Sequence, residues 1–302
     1  MQLKNPDFRI ETTTLCNANC TICPREKLAR PKVVMDNEHF FDLAYQALEL
    51  GATHISLFGY GEPLTDKGLA QKIEYCTKMG LKTFITSNAS LLDKRKRESL
   101  FNAGLSHIRF SMHGFFENYE AVHRGLKWGK TSNRVFDFVY DNIILDKPCK
   151  ISMSVIPMHG ENVEEIRKFW ESMVDWLEIW YPHNWTDGKS YRRVAKKKKT
   201  CGRPFNGPVQ IQADGKMVVC CFDYNGRLEV GDTRKQSVRS ILIGDRFNAI
   251  REKHKKGDLT GLVCDGCDQL NIEEKSPLMY SNRDDSCGVG TTSSTKTKLK
   301  EF

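Results

Sequence analysis

The sequence predicts an α/β fold, a partial (βα)6 TIM-like barrel with a small C-terminal α+β domain. Three observations carry this expectation. Six short apolar runs alternate with segments of helical spacing as far as residue 181, the pattern of parallel βα units joined by right-handed crossovers. Six such units are too few for a closed eight-stranded barrel. Beyond residue 182 the alternation stops and a hairpin pattern takes its place.

The strands read in order as "FRIETTT" (8–14), "HISLF" (54–58), "KTFITS" (82–87), "HIRFSM" (107–112), "KISMSVI" (150–156) and "WLEIWY" (176–181). Between them lie helical segments such as "NEHFFDLAYQALELG" (37–51). Its spacing puts Phe40, Phe41, Ala44, Ala47 and Leu48 on one face, and Gly51 closes it. "LLDKRKRESLFNAG" and "NVEEIRKFWESMV" repeat the theme. In the last third, "GPVQIQADGKMVVCC" reads as two strands about an Asp214-Gly215 turn, followed by a helical stretch over 238–254 and then "CDGC". The expected division is a barrel over 1–185, a basic linker over 186–200, a second domain over 201–275 and a disordered tail over 276–302.

At 302 residues, 39% hydrophobic and 28% charged, the chain has the composition of a globular protein with a sizeable core. It has no run of eighteen apolar residues, and "MQLKNPDFRIETTT" lacks the apolar segment of a signal peptide, so no membrane association and a cytoplasmic location are expected. Much of the net charge of +8 is local, with six cations in "YRRVAKKKKTC" (191–201). Such a run reads more readily as a solvated linker than as a nucleic-acid site.

The eleven cysteines fall into groups. In a cytoplasmic chain metal ligation is the better reading than a disulfide framework. Cys16, Cys20 and Cys23 form one group; Cys201, Cys220, Cys221, Cys264 and Cys267 form another. Cys76, Cys149 and Cys287 are isolated and read as buried or incidental thiols. The first group lies just after strand one, at the end of the barrel where chemistry gathers, and has no fourth cysteine near it. Three thiolates hold three irons of a [4Fe–4S] cube and leave one iron open; a zinc loop with a distant fourth ligand is the other reading.

The C-x3-C-x2-C spacing resembles the signature of the radical S-adenosylmethionine (radical SAM) superfamily, with Ile22 where an aromatic residue is usual. The resemblance implies that the open iron binds the methionine end of SAM. It also implies roles for later positions. Gly59, Gly61 and Glu62 in "FGYGEP" would receive the SAM ammonium, Ser87 and Asn88 in "TSNAS" its ribose, Ser111 and Arg124 its carboxylate, and Met158 would border the adenine. The last third resembles the cluster-binding SPASM and Twitch extensions of the same superfamily. That implies an auxiliary [4Fe–4S] cluster on Cys201, Cys220, Cys264 and Cys267. Strand alternation points Cys220 and Cys221 to opposite faces, so only one of the two is a natural ligand, and a four-thiolate zinc site fits the same spacing.

The resemblance implies an oxidoreductase-like enzyme. It would cleave SAM reductively to a 5′-deoxyadenosyl radical, take hydrogen from a substrate carbon and pass an electron to the auxiliary cluster. A small polar substrate such as an aminocyclitol or sugar is favoured, because the chain enters the barrel by about residue 8 and leaves no room for a leader-binding domain. A peptide-modifying maturase, a tRNA- or nucleic-acid-modifying enzyme and a non-enzymatic zinc protein are the alternatives. An electron donor such as flavodoxin or ferredoxin is the expected partner. His113, His159 and His183, at or after strand ends, are candidates for moving substrate protons.

Overall fold

A computed structural model describes residues 3–194, 197–272 and 277–283. In chain order, β1 (Asp7–Ile10), α1 (Asn37–Glu49), β2 (His54–Ser56), α2 (Leu69–Lys78), β3 (Lys82–Ser87), α3 (Lys94–Asn102) and β4 (His107–Ser111) lead to α4 (Phe116–Val122), α5 (Trp128–Ile144), β5 (Lys150–Val155), α6 (Val163–Trp170) and β6 (Trp176–Trp180). The last third adds α7 (Arg203–Asn206), β7 (Val209–Ile211), β8 (Lys216–Val218), β9 (Glu229–Asp232), α8 (Val238–Ile243), α9 (Asp245–Lys256) and β10 (Leu278–Ser281). All strands join one open sheet in the order β10-β6-β5-β4-β3-β2-β1-β7-β8-β9. Strands β1 to β6 are parallel and neighbour one another in sequence order, as six right-handed βα units require.

The strands are buried on both faces, but the two faces differ in chemistry. On the helix side stand Phe8, Ile10, Ile55, Ile85, Ile108, Phe110, Ile151, Met153, Val155, Leu177 and Ile179, all in the apolar core. The alternate positions, which face the barrel interior, include Arg9, Ser56, Arg109, Ser152 and Glu178, all buried. These interior groups are paired. Arg9 Nε lies 3.2 Å from Asp7 and Arg109 Nη2 lies 2.9 Å from Glu178. The Ser56 hydroxyl donates to Asp7 at 2.7 Å, and His107 Nε2 meets the Ser152 hydroxyl at 2.7 Å.

Strand β1 stops at Ile10, four residues short of the expected run to residue 14. The backbone beyond it turns to pair with residues 33–35: Thr14 N donates to Val33 O at 2.9 Å and Met35 N to Thr12 O at 2.8 Å. Helix α1 starts at an Asp36 cap that accepts from His39 N at 2.8 Å. Its buried stripe is Phe40, Leu43, Ala44 and Ala47, whereas Leu48 is exposed and Phe41 stacks on Tyr75 of α2. The expected stripe was therefore rotated toward solvent by part of a turn. The hairpin about Asp214-Gly215 is present, with Gly215 at φ +89°, and the helical stretch over 238–254 breaks into α8 and α9 at Gly244.

Strand β7 pairs parallel with β1, so the last third extends the barrel sheet rather than standing apart from it. Strand β10 pairs antiparallel with β6, within the stretch whose composition suggested disorder; residues 284–302 lie outside the described residues. Of the basic run, Lys197 bridges to Asn271 and lies 3.0 Å from Asp265, and Arg192 lies 3.4 Å from Asp268.

One buried ion pair ties these parts together. Arg30 donates to both oxygens of Glu11, at 2.7 and 3.0 Å, and the same carboxylate accepts from Tyr60 N at 2.8 Å and Ala213 N at 3.0 Å. Removing one partner of such a pair leaves a buried charge uncompensated. Glu11→Ala is therefore expected to cost about 3–5 kcal/mol of stability, read as a lower urea midpoint than that of the wild type.

Candidate active site

The loop after β1 carries Cys16, Cys20 and Cys23, all partly buried, and its shape is fixed by neighbours on every side. Asn19 N donates to Arg124 O at 3.1 Å and Thr21 N to Val122 O at 2.9 Å, so the segment after α4 straps the loop. Arg25 Nη1 donates to Thr14 O at 2.8 Å and to Tyr60 O at 2.7 Å. Trp185 Nε1 donates to Ile22 O at 2.7 Å, which joins the loop to the segment after β6.

The turn after β2 packs directly on this loop. A Cβ at Gly61 would meet Thr13 O at 2.1 Å and Leu15 O at 2.7 Å, and one at Gly59 would meet the Glu11 side chain at 2.5 Å. Both glycines are thus required by close approach to the first loop. Glu62 is 3% exposed, and its carboxylate accepts from Leu64 N at 3.1 Å, the Ser87 hydroxyl at 2.7 Å and Asn88 N at 2.7 Å. Burial outweighs these donors and pushes its pKa up to about 7. Asn88 donates to Asn17 Oδ1 at 3.2 Å, while its own oxygen accepts from Ser90 N at 2.9 Å and the Ser90 hydroxyl at 2.6 Å, so much of its side chain is spent locally.

Ser111, at the end of β4, faces the same space, as does His113. Arg124 is not brought to Ser111. Its side chain is exposed and off the cavity wall, because the turn after α4 directs His123 inward instead. After β5 it is Ile156 that lines the wall; Met158 is only partly buried and His159 is exposed, both away from it. His113 Nδ1 accepts from Ile156 N at 3.1 Å, so its proton sits on Nε2. Burial lowers its pKa to about 3.

In the last third, Cys201 precedes α7, Cys220 and Cys221 follow β8, and Cys264 and Cys267 follow α9. Burial, then the fields of Cys201 and Cys267, push Cys264 up to about 12. Burial likewise pushes Cys267 up to about 12, with Asp268 and Cys201 adding to it. Cys220 is raised by its thiol hydrogen bond with Cys221 and by burial, and it feels Cys201 as well. Strand β8 ends at Val218, before both cysteines, so alternation does not separate them: Cys221 lines the same cavity as Cys220, and its pKa shifts the other way. It is held below the usual thiol range by accepting from Cys220 and by the Arg203 guanidinium, which donates to its sulfur at 3.2 Å.

A cavity of about 390 Å3 lies between the first cysteine loop and the segment after β8; of the second cysteine group Cys220 and Cys221 line it, whereas Cys201, Cys264 and Cys267 do not. Cys16, Cys20 and Cys23 lie on its wall together with Cys220, Cys221, Arg203, His183, Arg9 and Arg109. Among the described residues no three His, Cys, Asp or Glu side chains converge as a single metal ion requires. Cys76 and Cys149 are buried in the apolar core, and Cys287 lies outside the described residues.

The donor set fits an iron–sulfur cluster and SAM. Burial raises the pKa of Cys16 and Cys20, whose mutual repulsion with Cys23 adds at Cys20, and it pushes Cys23 up to about 11. Such thiols give up their protons to a cationic metal rather than to water. Glu62 is likewise a buried carboxylate that a cationic ligand would ionise.

The profile of the Radical SAM superfamily matches residues 10–173, more than half of the chain. The chain belongs to the radical SAM superfamily. A second profile, the SPASM iron–sulfur cluster-binding domain, matches residues 201–268. The first domain type binds a [4Fe–4S] cluster and SAM, and the second binds auxiliary iron–sulfur clusters. The chain is 30% identical over 186 residues to a GTP 3',8-cyclase of Thermodesulfovibrio yellowstonii, covering 57% of this chain and 55% of that protein. It thus spans about half the length of that curated relative. It is 21% identical over 281 residues to the S-adenosyl-L-methionine-dependent 2-deoxy-scyllo-inosamine dehydrogenase of Niallia circulans, covering 90% and 96% of the two. The crystal structure of BtrN in complex with AdoMet and 2-DOIA shares the fold, with a TM-score of 0.64 at 20% identity over 93% of this chain and 98% of that one.

Three groups escaped the sequence reading. Arg203 sits two residues after a cysteine and carried no pattern of its own. Glu11 lay inside an expected strand. His123 stood next to Arg124, to which the resemblance assigned the role.

Glu62 yields a pH prediction. Its folded pKa, about 7, lies above the ordinary 4.5, so the folded state holds the proton more tightly than the unfolded one. Stability contributed by the protonated carboxyl is present below pH 4.5 and is lost as pH rises to about 7. In ligand-free protein, Glu62→Gln should remove this fall, on the order of 3 kcal/mol, measured by denaturation at pH 5 and pH 8.

Proposed function

We propose that this radical SAM enzyme removes hydrogen from a carbon of a small polar molecule, an aminocyclitol or a sugar, held inside the barrel. The observation that carries the reading is the shared cavity. One space of small-ligand size reaches both the Cys16–Cys20–Cys23 loop and the Cys220–Cys221 segment, and its walls are polar where the barrel strands face it. The match to a 2-deoxy-scyllo-inosamine dehydrogenase across nearly the whole of both chains supports the substrate class.

Cys16, Cys20 and Cys23 would hold the SAM-binding cluster, and Cys201, Cys220, Cys264 and Cys267 the auxiliary one. When bound, these groups supply one-electron cleavage of SAM, hydrogen abstraction and an acceptor for the electron left on the substrate. The chain's own residues orient and enclose. Glu62 receives the SAM ammonium, and Ser87, Asn88 and Ser111 stand beside it. Arg9 and Arg109, held in place by Asp7 and Glu178, present donors to substrate oxygens from the barrel floor. Tyr60, Trp185 and Phe222 pack edge to face and exclude water between the two loops.

Of the three candidate histidines, the surroundings of His183 best support a role in taking a proton. Its ring packs against Trp185 at 4.1 Å and Phe222 at 4.5 Å, and its buried Nδ1 has no hydrogen-bond partner among the described residues. Burial lowers its pKa to about 4, which leaves it neutral and able to accept at pH 7. His113 has its Nδ1 occupied, and His159 is off the wall.

The cysteines and SAM motif imply a reduced compartment, so a cytoplasmic setting with a flavodoxin or ferredoxin as donor completes the reading. No helix among the described residues is long and apolar enough to cross a membrane.

Anaerobically reconstituted protein should form 5′-deoxyadenosine from SAM, and the Cys16→Ala, Cys20→Ala, Cys23→Ala variant should form none while retaining the auxiliary iron. An iron-free wild type would refute the assignment. With an aminocyclitol substrate, His183→Gln should lower product formation about 100-fold while 5′-deoxyadenosine formation changes only a few-fold. Equal losses of both products would remove His183 from the proton step.

A further inference from the structure

His123 is 1% exposed and stands where α4 ends. The carbonyls on either side of it, Val122 O and Arg124 O, accept from Thr21 N and Asn19 N, the backbone flanking Cys20. Its ring is stacked between Tyr119, at 4.3 Å and 24°, and His113, at 4.9 Å and 12°. Nothing in the substrate or SAM chemistry described above uses this residue.

Its two nitrogens have fixed roles. The backbone N–H of His113 donates to Nε2 at 3.1 Å, and a backbone amide can only donate. Nε2 is therefore the unprotonated nitrogen, and the ring proton sits on Nδ1. That Nδ1–H lies 3.4 Å from Cys20 Sγ. The ring cannot turn to another partner, because both faces are stacked and its far nitrogen is held by the backbone.

We propose that His123 is a positioning residue for the SAM-binding cluster, donating Nδ1–H to the Cys20 sulfur and thereby raising the cluster's reduction potential. The inference rests on the assignment of Cys20 as an iron ligand. A hydrogen bond to a ligating sulfur draws electron density from it and favours the reduced cluster, which carries one more negative charge. The turn after α4 thus both straps the cysteine loop and tunes the thiolate at its centre.

The test is a potentiometric titration of the anaerobically reconstituted full chain, followed by EPR and reading the signal that changes when SAM is added. His123→Phe keeps a stacking ring without an N–H, and its midpoint should fall by the equivalent of at least tenfold in the reduction equilibrium, about 59 mV for a one-electron couple. His123→Asn returns a side-chain N–H and should recover part of the shift. A His123→Phe protein with wild-type iron content, a SAM-sensitive signal and an unchanged midpoint overturns the role of His123 while leaving the cluster assignment standing. If His123→Phe does not assemble its cluster, wild-type protein labelled with 15N-histidine decides. Pulsed EPR of the SAM-sensitive signal should show coupling to a histidine nitrogen, and its absence overturns the proposal. A wild type without any SAM-sensitive signal removes the cluster assignment itself and the inference with it.

Discussion

The buried Glu11–Arg30 pair is the constraint on which the candidate site depends. Glu11 directly follows β1, and its carboxylate takes donors from three separate parts of the chain: Arg30, the turn at Tyr60 and the hairpin at Ala213. Arg30 reaches on to Tyr224 O at 2.7 Å. Burial alone would lower the pKa of Arg30, but attraction and hydrogen bonding to Glu11, with Asp214 adding, raise it overall. One side chain thereby fixes the spacing between the first cysteine loop, the glycine turn and the hairpin that precedes Cys220. Gly59 must lack a Cβ because this carboxylate occupies the space.

The barrel reverses the usual sense of a half-buried sheet. Its helix-facing positions are apolar, and the interior positions that would fill a closed barrel with branched side chains carry arginines, serines and a glutamate. Such groups are costly to bury unless paired, and the floor pairs them. What remains above the floor is a space with a polar base and largely apolar walls, whose rim is made by the loops after β1 to β6 and which the last third closes by adding β7 to the β1 edge. The C-terminal domain is a wall of the cavity, so the first cysteine group and the Cys220–Cys221 pair meet one space.

Much of this was legible in the sequence. All six barrel strands were found because parallel strands buried on both faces appear as compact apolar runs, and β3 was bounded to the residue. The cysteine spacing and the glycine turn were legible because their chemistry permits few residue types. Other features were not. The stripe of α1 was misjudged because Leu43, not Leu48, turns inward once α1 packs on α2. Strand β10 is only four residues long and pairs with β6, a long-range contact no local pattern carries. The resemblance paired Ser111 with Arg124, but the turn after α4 sends His123 inward and leaves Arg124 exposed. The twin cysteines could not be separated by alternation alone. In the fold both line the cavity and both feel Arg203; Cys220 feels Cys201 as well, and Cys221 feels Arg9 and His183.

The central claim is that two iron–sulfur clusters open onto one cavity and only the first takes SAM. Mössbauer spectroscopy of 57Fe-reconstituted protein, with and without SAM, tests it most directly. The account predicts about eight irons in two [4Fe–4S] clusters, with one iron of one cluster changing its spectrum when SAM is added and the other cluster unaltered. A single cluster, or spectra identical with and without SAM, would contradict it.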